Sequence, residues 1–247
     1  MKRRLLGPHA VLEALRASPA SIAVVYAVED AQRPGHVVDA ARRAGVACEA
    51  RTPRELDAIA RGERHQGVVA ITGEYPYLDV AQLLQRCERP ALLVALDGIT
   101  DPHNLGAICR STAAFGAGGV IVTERRAAPV TPAAVRASAG ATEHLPIARA
   151  TNLVRTLEGF AEAGMQIVGL AAEGNAEIHA LEFPPQGRVL VVGAEGSGLR
   201  RLVRERCDVL ARIELPGPIA SLNASVAAGI AIYESARQRR DLADRPA

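Results

Sequence analysis

Apolar residues run along this chain in two patterns. In the first, nearly every position is apolar for a short stretch that then stops: Ile22 to Val28, Val68 to Thr72, Ala91 to Leu96, Gly119 to Thr123, Gln166 to Ala171, Arg188 to Val192 and Ala211 to Leu215. Short runs of this kind, rich in Val, Ile and Leu, read as strands, and strands apolar on both faces belong to a parallel sheet covered on both sides. In the second, apolar residues recur at helical spacing. This predicts helices over Pro8 to Arg16, Val37 to Ala44, Arg54 to Ala60, Val80 to Cys87, Leu105 to Phe115, Pro132 to Ala139, Leu153 to Ala163 and Ala224 to Arg239. Gly45 and Gly62 stand where helices stop, Pro53 where one starts, and Val46 to Ala50 is a further strand of the first part.

The alternation of the two patterns predicts an α/β protein. Gly73-Glu-Tyr-Pro-Tyr-Leu breaks it, so the expected organisation is a small α/β domain over residues 1–73, a linker over 74–89 and a larger α/β domain over 90–247. No internal repeat or low-complexity segment interrupts either part.

Composition narrows the class. With 49% apolar and 23% charged residues among 247, the chain has the make-up of a globular protein. No run approaches the ~18 apolar residues of a membrane helix. The basic opening Met1-Lys-Arg-Arg is interrupted by Gly7, Pro8 and His9 before any leader core forms. The expectation is a cytoplasmic protein with no membrane partner. The four cysteines lie far apart with no Cys-x-x-Cys pair, so neither a zinc site nor a disulfide framework is predicted, and no metal is expected. Buried or half-buried thiols are expected instead. The net charge of +2 says little about partners, and basic charge is almost all arginine, so any RNA-binding surface must come from local clustering.

Candidate chemistry sits in three blocks, each an apolar strand emptying into a glycine-rich, proline-rich or polar loop, where α/β proteins place ligands. They are Leu96-Asp-Gly-Ile-Thr-Asp-Pro-His-Asn-Leu-Gly-Ala-Ile-Cys-Arg110, Val189-Leu-Val-Val-Gly-Ala-Glu-Gly-Ser-Gly-Leu199 and Ile213-Glu-Leu-Pro-Gly-Pro-Ile-Ala-Ser-Leu-Asn-Ala-Ser225. In the first, Asn104 is placed to cap the following helix. Leu105, Ile108, Thr112 and Phe115 share its core face. Arg110 lies off that face, about a turn inside the helix and near its N-terminus, where the dipole disfavours it and an anion would suit it. A surface arginine paired with an acid is the plainer alternative. His103 reads as a loop residue lining the site. In the second block Gly193-Ala-Glu-Gly-Ser-Gly has the wrong spacing for a dinucleotide fingerprint. Its glycines would let backbone approach a flat adenosine, and Glu195 would either cap a helix near Leu199 or order the site. In the third, two prolines break a strand and leave backbone groups for a ligand, while Ser221, Asn223 and Ser225 cluster at a helix start.

In order and content these blocks resemble the three motifs of the SpoU/TrmH group of RNA ribose 2'-O-methyltransferases, within the knotted SPOUT class. The resemblance spans essentially the whole chain. Gly7-Pro-His-Ala-Val-Leu-Glu-Ala-Leu and His65-Gln-Gly-Val-Val-Ala are similar to the group's substrate domain, which resembles ribosomal protein L30e. It implies a deep trefoil knot in the C-terminal domain, S-adenosylmethionine as cofactor held at Gly193, Ile213 and Leu222, and catalytic-site roles for Asn104, Arg110, Glu195, Ser221 and Asn223. It further implies a homodimer, for which Val226, Ala227, Ile230 and Tyr233 offer an apolar stripe. Within the group the nearest likeness is to bacterial members that methylate a guanosine ribose in the peptidyl-transferase centre of 23S ribosomal RNA. Members acting on transfer RNA lack the separate N-terminal domain. Arg3, Arg4, Arg42, Arg43, Arg61 and Arg64 of that domain are candidate RNA contacts. A non-catalytic RNA-binding protein and a dinucleotide oxidoreductase are the competing classes, and binding of S-adenosylmethionine or of NAD separates them.

Overall fold

The computed structural model describes residues 2–29 and 34–243; Met1, 30–33 and 244–247, which the expected domain spans include, lie outside the described residues. Two sheets organise the chain. The first has four strands, β1 (Arg3–Leu6), β2 (Ile22–Val28), β3 (Cys48–Arg51) and β4 (Val68–Thr72), in the order β1-β4-β2-β3. Strand β4 runs antiparallel to β1 and β2, and β3 runs parallel to β2. Helices α1 (Pro8–Ala17), α2 (Gly35–Arg43) and α3 (Pro53–Ala60) cover it. Leu5 points into the core shared with α1 and α2, Leu6 into the small core under α3, as alternation along a strand demands. Strand β1 escapes the apolar pattern because half of it is arginine.

Helix α4 (Val80–Arg86) leads into the second sheet: β5 (Ala91–Asp97), α5 (Pro102–Ala114), β6 (Gly119–Thr123), α6 (Pro132–Ala137), β7 (Ile147–Ala150), α7 (Leu153–Glu162), β8 (Gln166–Leu170), β9 (Ala176–Glu177), β10 (Gly187–Gly193), α8 (Arg201–Arg204), β11 (Val209–Arg212) and α9 (Ala224–Ala243). The order is β7-β6-β5-β10-β8-β11-β9, and every pairing is parallel. This is the parallel α/β architecture the runs predict. All of β5 is buried. Strands build outward from β5 to β7 on one side, and β10 lies on its other side. The order therefore switches between β5 and β10, and their carboxyl ends flank a crevice, the place where open α/β sheets bind ligands. Gly193 stands opposite Asp97 there. Strand β11 stops at Arg212, so Ile213 to Leu215 belong to a loop and not to the strand expected over Ala211 to Leu215.

The two sheets are joined by polar contacts as well as by core. Arg3 makes two hydrogen bonds of 2.8 Å to Glu143 and lies over the Tyr75 ring, whose hydroxyl donates to the Thr142 carbonyl at 2.6 Å. Glu13 meets His144 at 2.8 Å, and Glu63 accepts from Arg136 at 3.1 Å. Arg4 is held by the Ile59 carbonyl at 3.0 Å and by Glu63 at 3.8 Å. Arg3 and Arg4 thus serve internal structure, which corrects their expected place among RNA contacts. Arg42, Arg43, Arg61 and Arg64 are exposed and have no partner among the described residues.

The thiols are free, with Cys109 buried and Cys48, Cys87 and Cys207 half-buried. Burial pushes the Cys109 thiol up to about 12 and the Cys207 thiol to about 11.

Candidate active site at the β5–β10 crevice

The first motif turns at Gly98, whose φ of 77° suits glycine. Asp101 then caps α5, accepting from the His103 N–H at 2.9 Å, and Pro102 takes the first helical position. This corrects the expectation that Asn104 is the cap. Aspartate before proline wins the boundary, and Asn104 is carried one turn inward, where it is buried. Its side chain donates to Glu195 Oε1 at 3.0 Å and accepts from Asn223 Nδ2 at 3.0 Å. His103 is an exposed helical residue held by Asp101, not a loop residue lining the site.

Glu195 does not cap the helix after Leu199. That helix, α8, begins at Arg201 with no side-chain cap. Glu195 Oε1 instead takes bonds from Asn104, from Asn223 and, at 3.3 Å, from the Ala224 N–H that opens α9. A carboxylate at a helix start is favoured by the dipole and by free N–H groups. Asn223 caps the same helix, since its Oδ1 accepts from Ser225 N at 2.9 Å, from Ser225 Oγ at 2.6 Å and from Val226 N at 3.3 Å. Asn104, Glu195 and Asn223, one from each motif, therefore form a single hydrogen-bonded cluster.

Beside it opens a cavity of about 1000 Å³, lined by Gly193, Glu195, Ile213, Ser221, Leu222 and Asn223 among others. Loops after β10, β8 and β11 supply its walls. No backbone hydrogen bond fixes residues 214–222 among the described residues, so their N–H and C=O groups remain for a ligand. Gly193 has a different reason for being glycine than approach to a ligand. A Cβ there would lie 2.3 Å from the Gly198 carbonyl carbon, so its absence lets the loop fold back on the strand. Gly196 and Gly198 adopt φ of 77° and 63°. A wall of exposed backbone with the apolar Ile213 and Leu222 fits a flat nucleoside; apolar cavities with a few convergent polar groups are usual for cofactors.

Arg110 stands apart from this cavity. It lies in the second half of α5, so the dipole does not oppose it, contrary to the expected position near the N-terminus. It is exposed and has no hydrogen-bond or ion-pair partner among the described residues. Its surroundings are a groove of about 570 Å³ formed with Ser111, Phe115, Ser225, Ile230 and Tyr233. Val226, Ile230 and Tyr233 are exposed there by 49%, 39% and 49%, whereas Ala227 faces the cavity. Asn223 and Ser225 flank the start of α9 with the cavity on one side and the groove on the other.

One contact of the site was not anticipated from the sequence. The fully buried carboxylate of Asp97 accepts from Arg200 N at 2.8 Å and Arg200 Nε at 2.5 Å, tying the end of the 194–200 loop to β5. The available signal was a carboxylate closing an otherwise apolar strand.

A profile of the SpoU rRNA methylase family matches residues 91–233, and one for the substrate-binding domain of RNA 2'-O ribose methyltransferases matches 4–78. A tRNA/rRNA methyltransferase of Mycolicibacterium vanbaalenii, itself uncharacterised, is 46% identical over 241 residues, 96% of this chain and 76% of that one. The SpoU methyltransferase AviRb of Streptomyces viridochromogenes, solved in complex with AdoMet, superposes with a TM-score of 0.83 at 28% identity, covering 97% of this chain and 91% of that one. An AdoMet-bound rRNA methyltransferase of Sinorhizobium meliloti does so with 0.78 at 27% identity, over 96% and 87%. With the three motif residues joined at the switch of a parallel sheet, and matching profiles over both parts of the chain, the protein belongs to the SpoU family of RNA methyltransferases.

Proposed function

We propose that this chain is an S-adenosylmethionine-dependent RNA 2'-O-methyltransferase acting on a guanosine ribose in the peptidyl-transferase centre of 23S ribosomal RNA, as a cytoplasmic homodimer. The observation that carries the reading is the cluster of Asn104, Glu195 and Asn223 on the wall of a nucleoside-sized cavity, with an unpaired arginine, Arg110, on the far side of the same helix start. Bound S-adenosylmethionine would supply an electrophilic methyl on an already charged leaving group, so alignment does much of the work.

The chain's own residues divide that work. Ile213 and Leu222 hold the nucleoside with the loop backbone, and Gly193 shapes that loop. Glu195 and Asn104 fix the Asn223 amide, and Ser221 and Asn223 orient the ribose. Arg110 remains protonated at any working pH, so it acts as a clamp on the neighbouring phosphate and stabilises oxyanion charge as it develops. The second domain, 90–247, would carry the family's trefoil knot, and residues 1–73, joined by the 74–89 linker, the L30e-like RNA-binding fold. Support for the dimer is the exposed stripe of Val226, Ile230 and Tyr233 beside Arg110, an apolar face more extensive than a monomer's surface needs.

The names of the relatives leave transfer RNA as a second reading, since they combine both substrates. Mapping 2'-O-methylation on ribosomal and transfer RNA from cells lacking the protein tests both. Loss of one guanosine mark in 23S RNA is the expected result. Loss confined to transfer RNA would replace the substrate, and loss of neither would remove the activity.

A further inference from the structure

The cavity has charge at its edge as well as apolar surface. Glu173, Glu195 and Glu214 line it with Arg204 and Arg212, which leaves it with one net negative charge. Glu195 is consumed by its bonds to the two asparagines and the α9 start. Arg212 is turned to the Gly174 carbonyl at 3.0 Å and to Glu177, outside the cavity, at 2.8 Å. Glu173 and Arg204 are different. They form an ion pair both of whose members line the cavity, and no other ion pair among the described residues does so. The hydrogen bond from Arg204 is the largest influence on the Glu173 carboxyl and holds it below its ordinary value of 4.5.

Their place is set by the sheet. Glu173 follows β8, and Glu195 follows β10, one strand closer to the β5 side. The ion pair and the asparagine cluster therefore occupy different ends of the cavity. A ligand spanning it presents one end to the residues that would orient a ribose and the other to a carboxylate beside a guanidinium.

We infer that Glu173 and Arg204 form the seat for the α-amino and α-carboxylate groups of the cofactor's amino-acid tail; this rests on the S-adenosylmethionine reading above. The tail is a zwitterion whose two charges lie one carbon apart. An ammonium against Glu173 and a carboxylate against Arg204 replace one ion pair with two charge-assisted contacts, the guanidinium offering a planar fork that matches a carboxylate. The net negative cavity suits S-adenosylmethionine, which carries one net positive charge, better than the neutral S-adenosylhomocysteine left after transfer. The alternative occupant of Arg204 is an RNA phosphate, which would leave Glu173 repelled and without a role.

Calorimetric titration with S-adenosylhomocysteine and with 5'-methylthioadenosine tests this. Both are neutral thioethers of the same nucleoside, and only the first has the tail. Arg204→Ala and Glu173→Gln are each expected to weaken S-adenosylhomocysteine binding about tenfold and leave 5'-methylthioadenosine essentially unchanged. The double exchange Glu173→Arg with Arg204→Glu keeps an ion pair on the wall; it should weaken S-adenosylhomocysteine as strongly, whereas a merely structural pair would tolerate it. Equal losses for both ligands, or none for either, overturn the assignment. Failure of the unaltered protein to bind S-adenosylmethionine at all is a separate result and takes the cofactor reading down with it.

Discussion

Glu195 accepts a hydrogen bond from the Asn104 side chain at 3.0 Å across 91 residues of sequence. The same oxygen receives Asn223 and the first N–H of α9. One carboxylate thus joins all three motifs, and its removal strands two amides and a helix start together. Glu195→Ala should lower stability by about 1–3 kcal/mol and reduce methyl transfer far more than Glu195→Gln, whose amide oxygen still accepts. Thermal melts and a transfer assay on the pair check this. Indistinguishable variants would deny Glu195 the organising role.

Arg110→Ala should abolish transfer while cofactor affinity stays within about twofold, because Arg110 lies outside the cavity wall. Arg110→Lys should restore little, since an ammonium cannot make the paired bonds of a guanidinium. Activity within a few-fold of the unaltered protein would take Arg110 out of the mechanism.

Even the smallest change at Gly193 should be costly. A Cβ at 2.3 Å from Gly198 backbone has no flexible neighbour to displace, so Gly193→Ala is expected to melt early and to bind S-adenosylmethionine poorly. Gly35→Ala, where a Cβ meets nothing within 4 Å, is the matched control. A normal melting temperature with lost binding would instead mean that Gly193 faces the ligand.

The exposed stripe on α9 should hold a second copy. Ile230→Glu would place a charge in that face and is expected to give a monomeric mass by light scattering, with the fold retained by circular dichroism. A monomer before mutation would end the dimer proposal.

A pH effect is expected where the two sheets meet. Burial raises the Glu13 carboxyl, but the His144 hydrogen bond and the charges of Arg16, His144 and His9 outweigh it and hold it below 4.5. A depressed folded-state value means a contribution present above pH ~4.5 and lost as pH falls through the folded value. Glu13→Gln should therefore melt below the unaltered protein at neutral pH and approach it in acid. Parallel curves across that range would show that the contact contributes no linked stability.

Much of the fold is written in the runs themselves. Strands such as Ala91–Asp97 and Gly187–Gly193 are apolar at almost every position because both faces are covered, and no helix of this chain shares that pattern. Arg3–Leu6 and Ala176–Glu177 are too short and too mixed to register. Asn104 was misplaced because Asp101 and Asn104 are both good caps one turn apart, and Pro102 at the first helical position decides between them. The site residues could be chosen from their motifs, but their bonds could not. Glu195 reaches Asn104 only because β10 lies beside β5, a neighbour relation that local pattern does not encode. The Asp97–Arg200 contact depends on the same adjacency.

That adjacency also sets a schedule. Asn104 and Asn223 are separated by 119 residues, with β6, β7, β8, β10 and β11 between them. As the chain leaves the ribosome the β5 end is made long before α9 exists to meet it. Until then Glu195 lacks two of its three donors and the cavity lacks a wall. Contacts of such long range close late and slowly. A nascent or truncated chain without α9 is therefore a sheet with no pocket, and the protein acquires its ligand site in one late step with the docking of a single helix.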